Sequence, residues 1–89
     1  MENNQIENDQ MENAQKLVNS FHEALGINVS LIVDSLAYQT VPEWDSISHM
    51  ILISQLEEDF SVSLETDDVI DLSSFAKAKE ILIKHGLIF

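Results

Sequence analysis

WDSISHMILISQLEEDF, residues 44–60, decides the fold. At 100° per residue, Leu52, Ile53, Leu56 and Phe60 gather within one arc of roughly 100°. That arc is a core stripe. It predicts a helix from Asp45 or Ser46 to Asp59, about 20 Å long. Ser48, Gln55 and Asp59 form a polar side. On a third face Ile47, Ile51, Ser54 and Glu58 recur at i, i+4, i+7 and i+11, with Met50 and Glu57 beside them. The core does not need Ile47 and Ile51 as well. Aliphatic groups among carboxylates suit a protein partner: the aliphatics supply desolvation, and the acids supply orientation against Arg or Lys. Asp45 is placed to cap the helix start. The Ser46 hydroxyl is therefore expected free and wet at the helix tip. No local base activates it, since His49 is near but has no acid to orient it. Chemistry on Ser46 must come from another protein, which is the profile of a modification site.

Outward from this helix, the chain reads as helices joined by links. Residues 1–8 are Asn, Gln and Glu with one Ile after the Met, a flexible solvated lead-in to a domain spanning 9–89. From Asp9, Met11, Ala14, Leu17, Val18, Phe21 and Leu25 recur at helical spacing, and Gly26 marks a left-handed stop. Residues 27–44 form a long connection with one short turn of helix. Leu31, Ile32 and Leu36 are expected against the core, and Pro42 keeps Val41 extended. Residues 61–64 are a short link. Thr66 is placed to cap a short helix through Ile70, with Asp67 and Asp68 read as its solvated start. A last helix begins near Ser73 or Ser74. It turns Phe75, Ala78, Ile81 and Leu82 inward, leaves Lys77, Lys79 and Lys84 wet, and ends at Gly86. Leu87, Ile88 and Phe89 are expected to fold back. His22 and His85 read as ordinary surface or boundary residues. The sum is a small all-α bundle.

Composition excludes several functions. The 89 residues carry 16 Asp and Glu against 4 Lys and no Arg, for a net charge of -12. Such a chain cannot neutralise nucleic-acid phosphates, and anionic membrane surfaces repel it. The favoured partner surface is basic. Without cysteine there is no disulfide, zinc thiolate or Cys nucleophile. The three histidines have no metal-ligand spacing, and two glycines make no phosphate loop. No oxygen-ligand spacing of a calcium loop occurs. A catalyst and a metal-binding regulator are thus disfavoured. No secretory leader and no apolar run of membrane length is seen, so a cytoplasmic monomer is expected.

Residues 44–60 resemble the attachment-site helix of acyl carrier proteins, the phosphopantetheine-binding or peptidyl-carrier family. Asp45, Ser46 and Ile47 match the family's Asp-Ser-aliphatic motif, and Glu57, Glu58, Asp59 and Phe60 match the helix end. SVSLETDDVIDLSSFAKAKEIL, residues 61–82, looks like the family's link and third and fourth helices. The resemblance implies a four-helix bundle with a long first loop and a short third helix. It implies that Ser46 receives 4'-phosphopantetheine from coenzyme A through a separate, magnesium-using phosphopantetheinyl transferase, with Asp45 helping to orient metal and transferase. The prosthetic thiol would carry an acyl or aminoacyl group as a thioester, for fatty acid, polyketide or nonribosomal peptide biosynthesis or for D-alanyl transfer. Ile47, Met50, Ile51, Ser54, Glu57 and Glu58 would dock loading and transfer enzymes with basic patches. Ile53, Met50 and the loop aliphatics would line a recess for the acyl chain.

Asp34, Ser35 and Leu36 repeat the tripeptide more closely, but AYQTV and Pro42 follow, with no acidic amphipathic helix in register. Context favours Ser46. The chain departs from the family where Ile51 replaces a frequent carboxylate, and where Trp44 replaces a frequent Gly. Trp44 reads as a lid over the helix start or as a recognition residue. His49 reads as a packing residue or as a contact to a partner or phosphate. The competing function is an acidic helical adaptor, a degenerate carrier that never takes the prosthetic group.

Overall fold

The computed structural model describes residues 4–89. They form four helices and no sheet: α1 (Asn4–Leu25), α2 (Ser46–Phe60), α3 (Thr66–Asp71) and α4 (Phe75–Lys84), with one 3-10 turn (Val29–Leu31) in the long first loop. The expected all-α architecture, long first loop and short third helix are all present.

Polar contacts set the register of α1 on α2. Lys16 Nζ donates to the Asp59 carbonyl at 3.2 Å. Buried Ser20 donates its hydroxyl to the Asp59 carboxylate at 2.5 Å. Gln55 Nε2 donates to the same oxygen at 3.0 Å and lies 3.4 Å from Glu23. The two helices are therefore antiparallel. At α4's start Phe75 packs edge-on to Phe21, with ring centroids 4.9 Å apart. The tail beyond it folds back along the start of α1: Gln10 and Asn13 donate to the carbonyls of Phe89 and Ile88, and Phe89 meets Phe60. Both α2 and α4 thus run against α1, and both begin at the end of the bundle where α1 stops.

The core forms where these helices face one another. Leu52, Ile53, Leu56 and Phe60 of α2 are buried, as their spacing predicts, against Leu17, Phe21 and Leu25 of α1 and Phe75, Ala78, Ile81 and Leu82 of α4. Ile27, Ile32, Leu36 and Trp44 anchor the first loop to this core. Trp44 is 0% exposed, and removing a ring of that size from water contributes up to about 5 kcal/mol. The loop is pinned at its other side by an isolated antiparallel bridge, Ala37 to Ser74, with Tyr38 N donating to the Ser73 carbonyl at 2.9 Å. Gly26, at a φ of +68°, ends α1. His22 Nδ1 then donates to the Ile27 carbonyl at 2.6 Å across that turn.

Several sequence expectations need correction. The helix starts by Asn4 rather than Asp9, so residues 4–8 of the expected lead-in are helical. Gln5 and Asp9, one turn apart, share a hydrogen bond of 3.0 Å there; residues 1–3 lie outside the described residues. Met11 and Ala14 are exposed rather than packed inward. The 22 residues of α1 outrun the 15 of α2 by about 10 Å at 1.5 Å per residue. Leu31 is 48% exposed, because the capped turn that begins at Asn28 sends it outward and turns Ile32 in. Thr66 is the first residue of α3 rather than its cap, and Glu65 holds the cap position.

The largest correction is Asp68, expected as a solvated helix start and found 1% exposed. It accepts hydrogen bonds from Lys84 Nζ, from His85 Nε2 at 2.8 Å and from the Glu65 amide at 3.3 Å. So the Lys84 ammonium is tied to a buried acid, and His85 is a structural partner. These bonds hold α3 to the end of α4. Six residues are too few for a helix to persist on its own. The Lys84 ammonium, then His85, hold the Asp68 carboxyl down at about 2, and Asp68 in turn raises Lys84 above its ordinary value. A carboxyl with a depressed folded pKa stabilises the fold above its unfolded pKa and loses that stabilisation as pH falls toward the folded one. Asp68→Asn is expected to cost about 2 kcal/mol at pH 7. Its deficit against wild type should shrink as pH drops from about 4 toward 2. Denaturant titrations across that window check both.

Candidate functional site

The start of α2 is built from three consecutive residues with separate tasks. Asp45 is extended, and its carboxylate accepts the Ser48 amide at 2.9 Å. That amide holds its carboxyl below the ordinary value. Ser46 is the first helical residue, and its side chain is exposed. With Asp45 capping, no described group hydrogen-bonds to the Ser46 hydroxyl. Trp44 is the buried lid beneath, edge-on to Phe21 at 5.4 Å and to Tyr38 at 6.2 Å.

The start of α4 shows what a closed helix end looks like. Ser74 caps with its own hydroxyl, which accepts the Lys77 amide at 3.0 Å. The amides of Phe75 and Ala76 donate to the first-loop carbonyls of Leu36 and Asp34. At α2 no loop carbonyl covers the first turn. There the Asp45 carboxylate itself takes the Ser48 amide and stands at the positive dipole end, which leaves the Ser46 hydroxyl beside it uncovered.

His49, one turn in, bridges two elements. Its Nδ1 accepts the Trp44 indole N–H at 3.0 Å, and its Nε2 donates to the Val69 carbonyl of α3 at 2.9 Å. Its ring lies nearly parallel to that of Trp44, with centroids 6.1 Å apart. Of its two sequence readings, packing is the one seen.

Beyond the tip, Ile47, Met50 and Ile51 are exposed, Ile47 by 73%. Ser54 and Glu58 are exposed along the same face. Glu57 differs: it is half-buried, and one carboxylate oxygen accepts the Leu64 amide at 2.9 Å. It braces the link that follows α2, and its remaining oxygen alone is left for a partner. The sequence reading took Ile70 only as the end of the short helix and not as a surface aliphatic, yet it is 71% exposed on α3, next to the Val69 that touches His49. Its signal was weak, because six residues are too short for a periodic face to show. Ser35 is exposed in a first-loop turn, and Asp34 before it pairs with Lys79 at 2.9 Å. It begins no helix.

A shallow groove of about 400 Å³ lies elsewhere, lined by Ala14, Gln15, Val18 and Asn19 of α1 and Val29 of the first loop. Ile53 and Met50, expected to line a recess for an acyl chain, are not in its walls; Ile53 is packed into the core. Among the described residues no cluster of His, Asp and Glu could hold a metal ion, and no helix is long and apolar enough to cross a membrane.

No protein-family model, curated protein or solved structure matches the chain. The geometry alone therefore separates the surface of α2 from its core. Ile51→Ser is expected to leave stability within about 0.5 kcal/mol of wild type. The adjacent Leu52→Ala should cost about 3 kcal/mol. Paired denaturant titrations read the difference.

Proposed function

We propose that this chain is a carrier. Ser46 is the attachment point for 4'-phosphopantetheine, and the chain presents an acyl or aminoacyl thioester to partner enzymes. One observation carries the reading. The Ser46 hydroxyl stands free in water on the first turn of α2 while its neighbour Asp45 does the capping.

The site's chemistry fits such a group. A phosphodiester on Ser46 would stand at the exposed tip of α2 with room in solvent, beside the Asp45 carboxylate that takes the Ser48 amide. When bound, the group supplies the thiol that a chain without cysteine lacks. Ser46 has no base of its own, because both nitrogens of His49 are engaged with Trp44 and Val69. As the serine oxygen bonds to phosphorus, the diphosphate bond of coenzyme A breaks, adenosine 3',5'-bisphosphate leaves, and the serine proton goes to a base on the transferase. Asp45, exposed and held as a carboxylate, is an anionic neighbour suited to orient a transferase-bound magnesium ion.

Ile47, Met50 and Ile51 give the partner a surface to desolvate, and Glu58 with the free oxygen of Glu57 gives it a direction. A basic rim on the loading and transfer enzymes complements this face. The net charge of -12 draws such partners in at long range. The resemblance of residues 44–60 to acyl carrier proteins supports the same reading, as does the bundle with its long first loop and short third helix. The chain works in this reading as a cytoplasmic monomer without catalytic activity of its own.

Incubation with coenzyme A, magnesium and a broad-specificity phosphopantetheinyl transferase tests it by intact mass. The wild-type chain and Ser35→Ala should each gain one phosphopantetheine. Ser46→Ala should gain none. A chain that stays unmodified yet binds a basic partner through α2 would be an adaptor instead.

A further inference from the structure

We infer that His49 is the positioning residue that aims Ser46, acting through the Trp44 indole and held in a single tautomer; this rests on the carrier reading above. The indole N–H can only donate, so the Nδ1 that receives it carries no proton. The Val69 carbonyl can only accept, so Nε2 carries the proton. Two partners of opposite type thus select the Nε2–H form and orient the ring.

The position of the pair gives it its effect. Asp45 is the cap of α2, so Trp44 sits one residue before the cap and His49 four residues after it. Contact between these two positions is the arrangement that fixes the angle at which a chain enters a helix. Here it is a hydrogen bond between nearly parallel rings with interplanar angle 20°, rather than a plain apolar contact. Ser46 lies inside the closed segment from Trp44 to His49, so the entry angle sets where its hydroxyl points.

The other side of the imidazole anchors the clamp. Val69 lies near the end of α3, and its carbonyl has no partner within that helix. His49 satisfies it. A displacement of α3 therefore pulls on the ring that holds the Ser46 turn. Tyr38 of the first loop, 5.3 Å away ring to ring, closes the remaining side.

Transferase loading rates and tautomer detection test this together. Nitrogen-15 spectra of the full chain should show His49 as the Nε2–H tautomer. His49→Asn places an amide oxygen near the Nδ1 position and should load within about twofold of wild type. His49→Gln keeps a donor toward Val69 but removes the acceptor facing Trp44, and should load about tenfold slower. Trp44→Phe removes the donor and should slow loading to a similar degree. Combining it with His49→Gln should slow loading no further, because both changes break one bond. The Asn variant keeps only the Trp44 bond and the Gln variant only the Val69 bond. Trp44→Phe leaves the Val69 bond intact, so agreement of His49→Gln with Trp44→Phe reads the Trp44 bond even if His49→Ala does not fold. Equal loading by all variants beside a loading wild type overturns the inference alone, as does an Nδ1–H spectrum or additive slowing. A wild-type chain that takes no arm overturns the carrier reading and this inference with it.

Discussion

The Asp45 carboxylate holds the Ser48 amide at 2.9 Å and so relieves the next residue of the task a serine at a helix start commonly performs. The two serines at the two parallel helix starts show what this changes. Ser74 turns its hydroxyl onto its own helix, and the first loop closes over the amides beside it. Ser46 sits one position later relative to its helix, so its side chain points away from the amides that need capping. One residue of register separates a hydroxyl that is part of the fold from one that is available to chemistry.

That register is held from below by the first loop. A connection from Ile27 to Trp44 is long for so small a bundle, and it keeps its course through buried side chains rather than through helix. Trp44 is the last of these anchors and lies directly before the cap. The loop's other flank is tied to the link before α4 by the Ala37–Ser74 bridge. The end of the bundle that carries Ser46 is thus braced by tertiary contacts on two sides, while α3 is tethered by His49 at one side and by Asp68 with Lys84 and His85 at the other.

What could be read from the sequence follows from how each element buries itself. The inward set of α2 was legible because four side chains recur over 15 residues and all meet one core. Phe75, Ala78, Ile81 and Leu82 of α4 were legible for the same reason. The freedom of Ser46 was legible because an aspartate precedes it. Met11 and Ala14 misled because periodicity reports a face and cannot report what covers it; Ala14 lines the open groove beside Val29. Leu31 misled because a 3-10 turn has no face long enough to average over. Asp68 misled because an acid at a helix start is solvated in most settings, and its partners Lys84 and His85 lie 16 and 17 residues further on. His49 was legible as a candidate packing residue. Its hydrogen bonds to Trp44 and Val69 depend on α3 being folded over it, which no local pattern encodes.

The four lysines have a further consequence. Lys16 lies on the Asp59 carbonyl and over the Phe60 ring, Lys77 meets Glu80, Lys79 meets Asp34, and Lys84 meets Asp68. Every lysine is turned onto a group of its own molecule. Two copies that approach each other therefore present unpaired carboxylates in excess, with each lysine already beside a partner on its own molecule. Mutual repulsion of this kind keeps a concentrated solution dispersed despite the bare isoleucines on its surface, and added salt, by shortening the reach of that repulsion to about 8 Å at physiological ionic strength, is what lets those side chains meet.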